Sequence, residues 1–127
     1  MENDELDEIF VDRNEPINKK LLVEVLKPFV IIDSEGMINF SAEYEKLSGN
    51  NKILIYLCCK KAMVLKEIPN KQEATGITEA SKEANVTIDI AKNAFYKVFN
   101  KLLKKEGDGY IIPNYNLIKI KQIIMGE

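Results

Sequence analysis

The chain contains no histidine. That one absence removes imidazole acid–base relays and most zinc sites. Cysteine is almost as scarce, with two residues, Cys58 and Cys59, adjacent in an apolar run. Neighbours on a helix point about 100° apart, so the pair is badly placed to share a metal and would form a very strained disulfide. Both read as small buried hydrophobes in a reducing compartment. No glycine-rich phosphate loop is present, and Gly107-Asp108-Gly109 reads as a turn. The longest apolar run, Ile53 to Cys59, is too short to span a bilayer. No apolar segment comes after a basic one near residue 1, so neither a signal peptide nor a membrane partner is expected, and the chain reads as cytoplasmic. Asp33 and Glu35 are close in sequence but fall in an expected exposed turn, where a raised pKa is not favoured. With no nucleophile–base pair in view, neither an enzyme nor a cofactor is expected.

What the chain does have is a division of charge. Residues 1–51 carry a net −7 and residues 52–127 a net +5, which together make the −2 of the whole. An overall pI of 5.4 therefore conceals an acidic half joined to a basic one. Such asymmetry often marks a module that binds a polyanion and carries an acidic arm. At 127 residues the chain is long enough to bury a core without disulfide or metal staples.

The pattern divides the chain into three regions. Residues 1–18 are acidic and read as a flexible, solvated arm, although Leu6, Ile9 and Phe10 share one helical face and could dock on a partner. Residues 19–47 read as an extension made of a helix and a β-hairpin. Leu22, Val25 and Leu26 fall on one helix side, Pro28 stops the helix, and the β-branched run from Phe29 turns at Asp33–Gly36 and returns over Met37–Phe40. Ser41 is placed to cap a short helix through Leu47. Residues 48–127 form the main domain. Ser48 caps its strongest helix, which runs to Lys66. Ile53, Leu54, Leu57, Cys58, Ala62 and Leu65 make the main apolar face, widened by Ile55, Tyr56 and Cys59, which predicts a central, largely buried helix.

A polar loop over 68–76 leads to two further helices. Thr78 is placed to cap the first, Glu79 to Ala84. Asn85-Val86 makes the turn, with Asn tolerating a left-handed backbone. Thr87 or Asp89 caps the second, which runs to about Asn100. Ala91, Ala94, Phe95, Val98 and Leu102 are predicted to face the core. Lys92, Asn93, Tyr96, Lys97 and Asn100 fall on the opposite side. Lysine can contact phosphate, asparagine can read adenine, and an aromatic can pack on sugar or base. Any exposed helix of a lysine-rich protein would carry a similar face, so the pattern alone does not decide. The next segment weighs on it. Two β-capable runs flank the Gly-Asp-Gly turn over about 102–112, predicting a hairpin, or wing, that carries Lys104 and Lys105. The competing reading continues the helix through Lys105 and stops it at Gly107. After Pro113, Leu117, Ile120, Ile123 and Ile124 form the stripe of a last helix. That stripe covers the core or pairs with a second copy.

The order helix, short helix, turn, recognition helix, hairpin resembles the winged helix-turn-helix domains of archaeal and bacterial transcription regulators. The segments LKPFVIIDSEGMINFSAEYEKLS, NKILIYLCCKKA and YIIPNY look like small archaeal winged-helix proteins of that superfamily. The resemblance spans about Lys19 to Met125. It implies a mainly helical fold with small hairpins that binds double-stranded DNA, commonly as a dimer, with a recognition helix in the major groove. Lys82 would then brace the first short helix on the DNA backbone. Asn85 stands where that superfamily usually has glycine, and Asp89 would repel a close phosphate. Winged helices also act as protein–protein modules in transcription and translation assemblies, and the acidic arm is a candidate surface for a protein partner.

Overall fold

The computed structural model describes residues 17–126. The chain is mainly helical with two small antiparallel hairpins. In order it forms α1 (Lys19–Leu26), β1 (Val30–Ile32), β2 (Ile38–Phe40), α2 (Ala42–Glu45), α3 (Gly49–Leu65), α4 (Ile77–Ala84) and α5 (Ile88–Asn93). A π-helical turn over Ala94–Val98 continues α5, and after it come β3 (Lys104–Glu106), β4 (Gly109–Ile111), a 3-10 turn over Asn114–Asn116 and α6 (Leu117–Met125).

Helix α3 is the axis of the molecule. Its residues from Ile53 to Lys61 are all buried, so the apolar run expected to be central is surrounded by other elements. Ala62 is half-buried and Leu65 is exposed, so the expected apolar face fades over the last turn, where the helix emerges from the core. The Ser48 side chain accepts from the Asn51 amide at 3.2 Å and so satisfies an orphan donor of the first turn. Helices α1, α4, α5 and α6 pack against α3, and α1 also lies along α6. One apolar cluster runs from Leu22 and Val25 through α3 to Phe95, Leu117 and Ile124.

The amino-terminal extension shares that core. Asn18 caps α1 by accepting from the Leu21 amide at 3.0 Å, and Ile17 packs on the apolar cluster. Residues 17 and 18, expected in the arm, therefore belong to the folded body, and the rest of the expected arm, residues 1–16, lies outside the described residues. The first hairpin pairs Val30 with Phe40 and Ile32 with Ile38, and Gly36 takes φ +86° in its turn. The Asp33 carboxylate accepts from the Glu35 and Met37 amides and closes that turn. Ser41 caps α2 as expected, though the helix ends at Glu45 rather than Leu47. Tyr44 on α2 is fully buried, stacks on Phe40 at 3.9 Å, and donates its hydroxyl hydrogen bond to the Ala84 carbonyl at the end of α4.

Cys58 and Cys59 are both buried free thiols. Burial pushes the Cys58 thiol up to about 12, and it raises Cys59 as well. Among the described residues no helix is long and apolar enough to cross a membrane, and no cluster of acidic or cysteine side chains could hold a metal ion.

Candidate nucleic-acid interface

Helices α4 and α5 pack against each other across a short turn. Asn85 takes φ 62° and ψ 50°, the left-handed conformation that asparagine tolerates better than most residues. The turn is pinned from both sides. The Val86 amide donates to the Ser81 carbonyl at 3.0 Å, and the Ser81 hydroxyl donates to the Val86 carbonyl at 2.8 Å. Thr87, not Asp89, caps α5, accepting from the Ile90 amide at 3.2 Å. Asp89 sits in the first turn, where a carboxylate suits the helix dipole. Helix α4 starts one residue before Thr78: Gly76 is its cap position and no side chain caps it.

The second helix is less regular than its sequence implies. From Ala94 to Val98 it is π-helical, and the Phe99 amide reaches the Ala94 carbonyl five residues back at 2.9 Å. The wider turn shifts the register of the residues at its carboxyl end. Val98, expected in the core, is 47% exposed, and Phe99, absent from the expected core, is 3% exposed. Ala91, Ala94 and Phe95 point inward as expected, and Leu102 is half-buried against the core.

The opposite face keeps all its expected members. Lys92, Asn93, Tyr96, Lys97 and Asn100 are exposed, with Tyr96 at 56%. Lys82 on α4 is exposed too. The hairpin forms where expected, so the continuous-helix alternative for 102–105 is set aside. Lys104 pairs with Ile111, Lys105 with Tyr110 and Glu106 with Gly109, leaving Gly107 and Asp108 as the loop, with Gly107 at φ +60°. Both Lys104 and Lys105 are exposed.

The hairpin is tied to the rest of the molecule through Tyr110. Its amide and carbonyl exchange hydrogen bonds with Thr75 at 2.9 and 3.0 Å, adding a third strand-like segment from the loop before α4. Its ring meets Phe95 at 5.1 Å between centroids. Gly109 is needed for this approach, because a Cβ there would lie 2.7 Å from the Thr75 nitrogen. A cleft of about 520 Å³ opens beside β3, lined by Lys101, Lys104 and Lys105 together with Tyr115. Lys101 and Tyr115 were not singled out by the sequence, since neither lies on a regular element with a readable face.

The lysines divide by their partners. Lys60 donates to Glu79 at 2.8 Å, and Lys61 donates to Glu73 at 2.6 Å and to the Asn114 side-chain oxygen at 2.7 Å. Lys46, Lys52 and Lys121 are paired with Glu43, Glu45 and Glu24. Lys82, Lys92, Lys97, Lys101, Lys104 and Lys105 have no ion pair among the described residues. The buried pairs around α3 went unread in the sequence. The signal was there in outline: a helix apolar on nearly every side leaves Lys60 and Lys61 no route to water, so each requires an acid.

The Tyr56 hydroxyl also donates to Glu79, at 2.7 Å. Burial pulls the Glu79 carboxyl upward, but the hydrogen bonds from Lys60 and Tyr56 outweigh it and hold the group below the ordinary carboxylate value. Burial, with Glu79 beside it, pushes the Tyr56 phenol well above its usual range. The network cross-braces α3 and α4.

Comparison with family models, with curated proteins and with solved structures finds no match in any of the three.

Proposed function

We propose that this chain is a winged helix-turn-helix protein that binds double-stranded DNA and regulates transcription. In this reading α5 and its π-helical continuation form the recognition helix, and the β3–β4 hairpin is the wing. The observation that carries the proposal is the exposure of Lys82, Lys92, Lys97, Lys101, Lys104 and Lys105, which are among the lysines without an ion pair in the described residues, on α4, on and just beyond the α5 turn, and on the wing. Cations without a counter-charge on an exposed surface repel one another and are retained at a cost that a polyphosphate would offset. Among them stand Asn93, Asn100 and Tyr96, groups able to contact base edges and sugars.

The reading divides the work. Lys92, Lys97 and the wing lysines hold phosphates and set register; Asn93 and Asn100 read bases; Lys82 braces α4 on the backbone. A twofold homodimer would present two such helices to successive major grooves. The test is electrophoretic mobility shift with duplex DNA fragments over a salt series. The wild-type chain shifts at low salt, with affinity falling steeply as salt rises. Lys92→Glu and Lys97→Glu abolish the shift while keeping the wild-type circular dichroism spectrum. If both variants bind like wild type, the assignment of this face is wrong.

A second reading is favoured by a specific feature. Ile88, Ile90 and Val98 are exposed apolar side chains on the same helix and its π turn. Apolar groups on a surface helix suit a protein partner better than a phosphate backbone. A winged helix docking into a transcription or translation assembly would give no DNA shift at any salt, and Ile90→Asp would abolish capture of its partner.

A further inference from the structure

A second surface of the molecule is apolar and lies on the extension rather than on α5. Between α1, β1 and α3 runs a groove lined by Leu22 and Leu26 of α1, Val30 and Ile32 of β1, and Ala62 of α3. Val23, 55% exposed, forms its outer lip. The groove has a volume of about 240 Å³ and continues past Ile32 and Ala62 into a neighbouring depression of about 270 Å³ that reaches Met63 and Ile68. Lys27 stands at the first depression and Lys66 at the second, both exposed and with no ion pair among the described residues. Asp33 lies at the rim of the second, where its carboxylate is engaged by the Glu35 and Met37 amides.

We propose that residues 6–12 of this same chain, Leu-Asp-Glu-Ile-Phe-Val-Asp, occupy that groove. The segment matches it in two respects. Leu6, Ile9, Phe10 and Val11 supply the apolar side chains, and Asp7, Glu8 and Asp12 supply charges opposite to Lys27 and Lys66. Residues 1–16 as a whole carry seven acids against the single Arg13. Reach also favours the match. The chain enters the folded body at Ile17, one residue before the Asn18 cap of α1, and α1 itself is one wall of the groove. The seven peptide steps from Phe10 to Ile17 can span up to roughly 24 Å when extended, whereas the eight-residue α1 is only about 12 Å long. The segment can therefore turn back along the helix it precedes. The α5 surface offers more lysines and exposes Ile88, Ile90 and Val98, but the depression beside Ile90 is lined by Asp89 and by no lysine, so it opposes an acidic segment. The inference stands apart from the DNA reading and survives or fails without it.

The two native thiols are buried, so a cysteine introduced by Glu8→Cys in the full chain can be spin-labelled selectively. Amide resonances of Leu22–Lys27, Val30–Ile32 and Ala62–Lys66 should lose intensity, while those of Lys82, Lys92 and Lys97 should not. The loss should disappear in the same labelled chain carrying Phe10→Asp and weaken at high salt. Circular dichroism confirms that each variant is folded. Intensity loss on the α5 face, uniform loss over the surface, or no loss would overturn the proposal. So would loss at the groove that persists in Phe10→Asp. Loss on isotope-labelled chains mixed with spin-labelled unlabelled ones would also overturn it, because the occupant would then be a second copy.

Discussion

The Phe95 and Tyr110 rings meet at 5.1 Å between centroids, tilted by 59°, and join the buried side of the π-helical turn after α5 to β4 of the second hairpin. Tyr110 also exchanges both backbone hydrogen bonds with Thr75. Tyr110→Ala should therefore lower stability by about 2–3 kcal/mol, from lost burial and lost ring contact. Gly109→Ala should act differently. Its Cβ would sit 2.7 Å from the Thr75 nitrogen, forcing the strand-like bridge apart at a cost of about 1–3 kcal/mol. Urea unfolding measures both. Hydrogen exchange at the Thr75 and Tyr110 amides should accelerate strongly in Gly109→Ala, with smaller changes in α3.

The π-helical turn gives a paired prediction. Val98→Ser should change stability by no more than about 0.5 kcal/mol, because that side chain is already largely in water. Phe99→Ala should cost roughly 3–5 kcal/mol. A regular α-helical register would reverse the order, so thermal melts of the two variants test the turn directly.

Glu79 sets a pH dependence. Its carboxyl releases its proton more readily in the folded chain than in the unfolded one, where the ordinary value is 4.5. The pairing with Lys60 and Tyr56 therefore adds stability that is fully present at neutral pH. This contribution declines as the pH drops below about 4.5 and through the lower folded value. Glu79→Gln should be less stable than wild type at pH 7 by about 1 kcal/mol or less, since it removes the charge partner of Lys60 but the half-exposed carboxylate is screened by solvent. The gap should narrow in acid. Denaturant midpoints at pH 7 and pH 3 would show it, and a gap that widened in acid would contradict the assignment.

The thiols report unfolding. With Cys58 pushed up to about 12 and Cys59 also raised, both by burial, native protein should not react with a thiol reagent at pH 8. Both groups should react once denaturant unfolds α3. Reaction of either in the native state would mean that the helix opens locally.

Much of this architecture was legible in the sequence because it rests on local chemistry. Ser48, Asn85 and Thr87 act at helix ends through their own side chains and backbone preferences, and the exposed set from Lys92 to Asn100 comes from helical spacing. What escaped depends on distant partners. Nothing near Val98 announces that the helix widens to bury Phe99, because that choice is made by packing against α3. Thr75 sits in a polar loop and gains its partner, Tyr110, only when the hairpin folds over it. Lys61 finds Glu73 and Asn114 from separate stretches of chain, a meeting that spacing along one helix does not reveal. The mainly helical class with two hairpins was readable from apolar periodicity and turn residues.

The Tyr44 hydroxyl bond to the Ala84 carbonyl sets a limit on how small a working piece of this protein can be. A carbonyl at the end of a helix that is hidden from solvent has to find a donor, and here the donor comes from forty residues upstream. A fragment begun at Ser48 would keep every lysine of the α4, α5 and hairpin surface, yet it would leave the Ala84 carbonyl without this donor beside a hole the size of a phenol ring. Shortened versions intended to retain the lysine surface should therefore begin no later than Ile17.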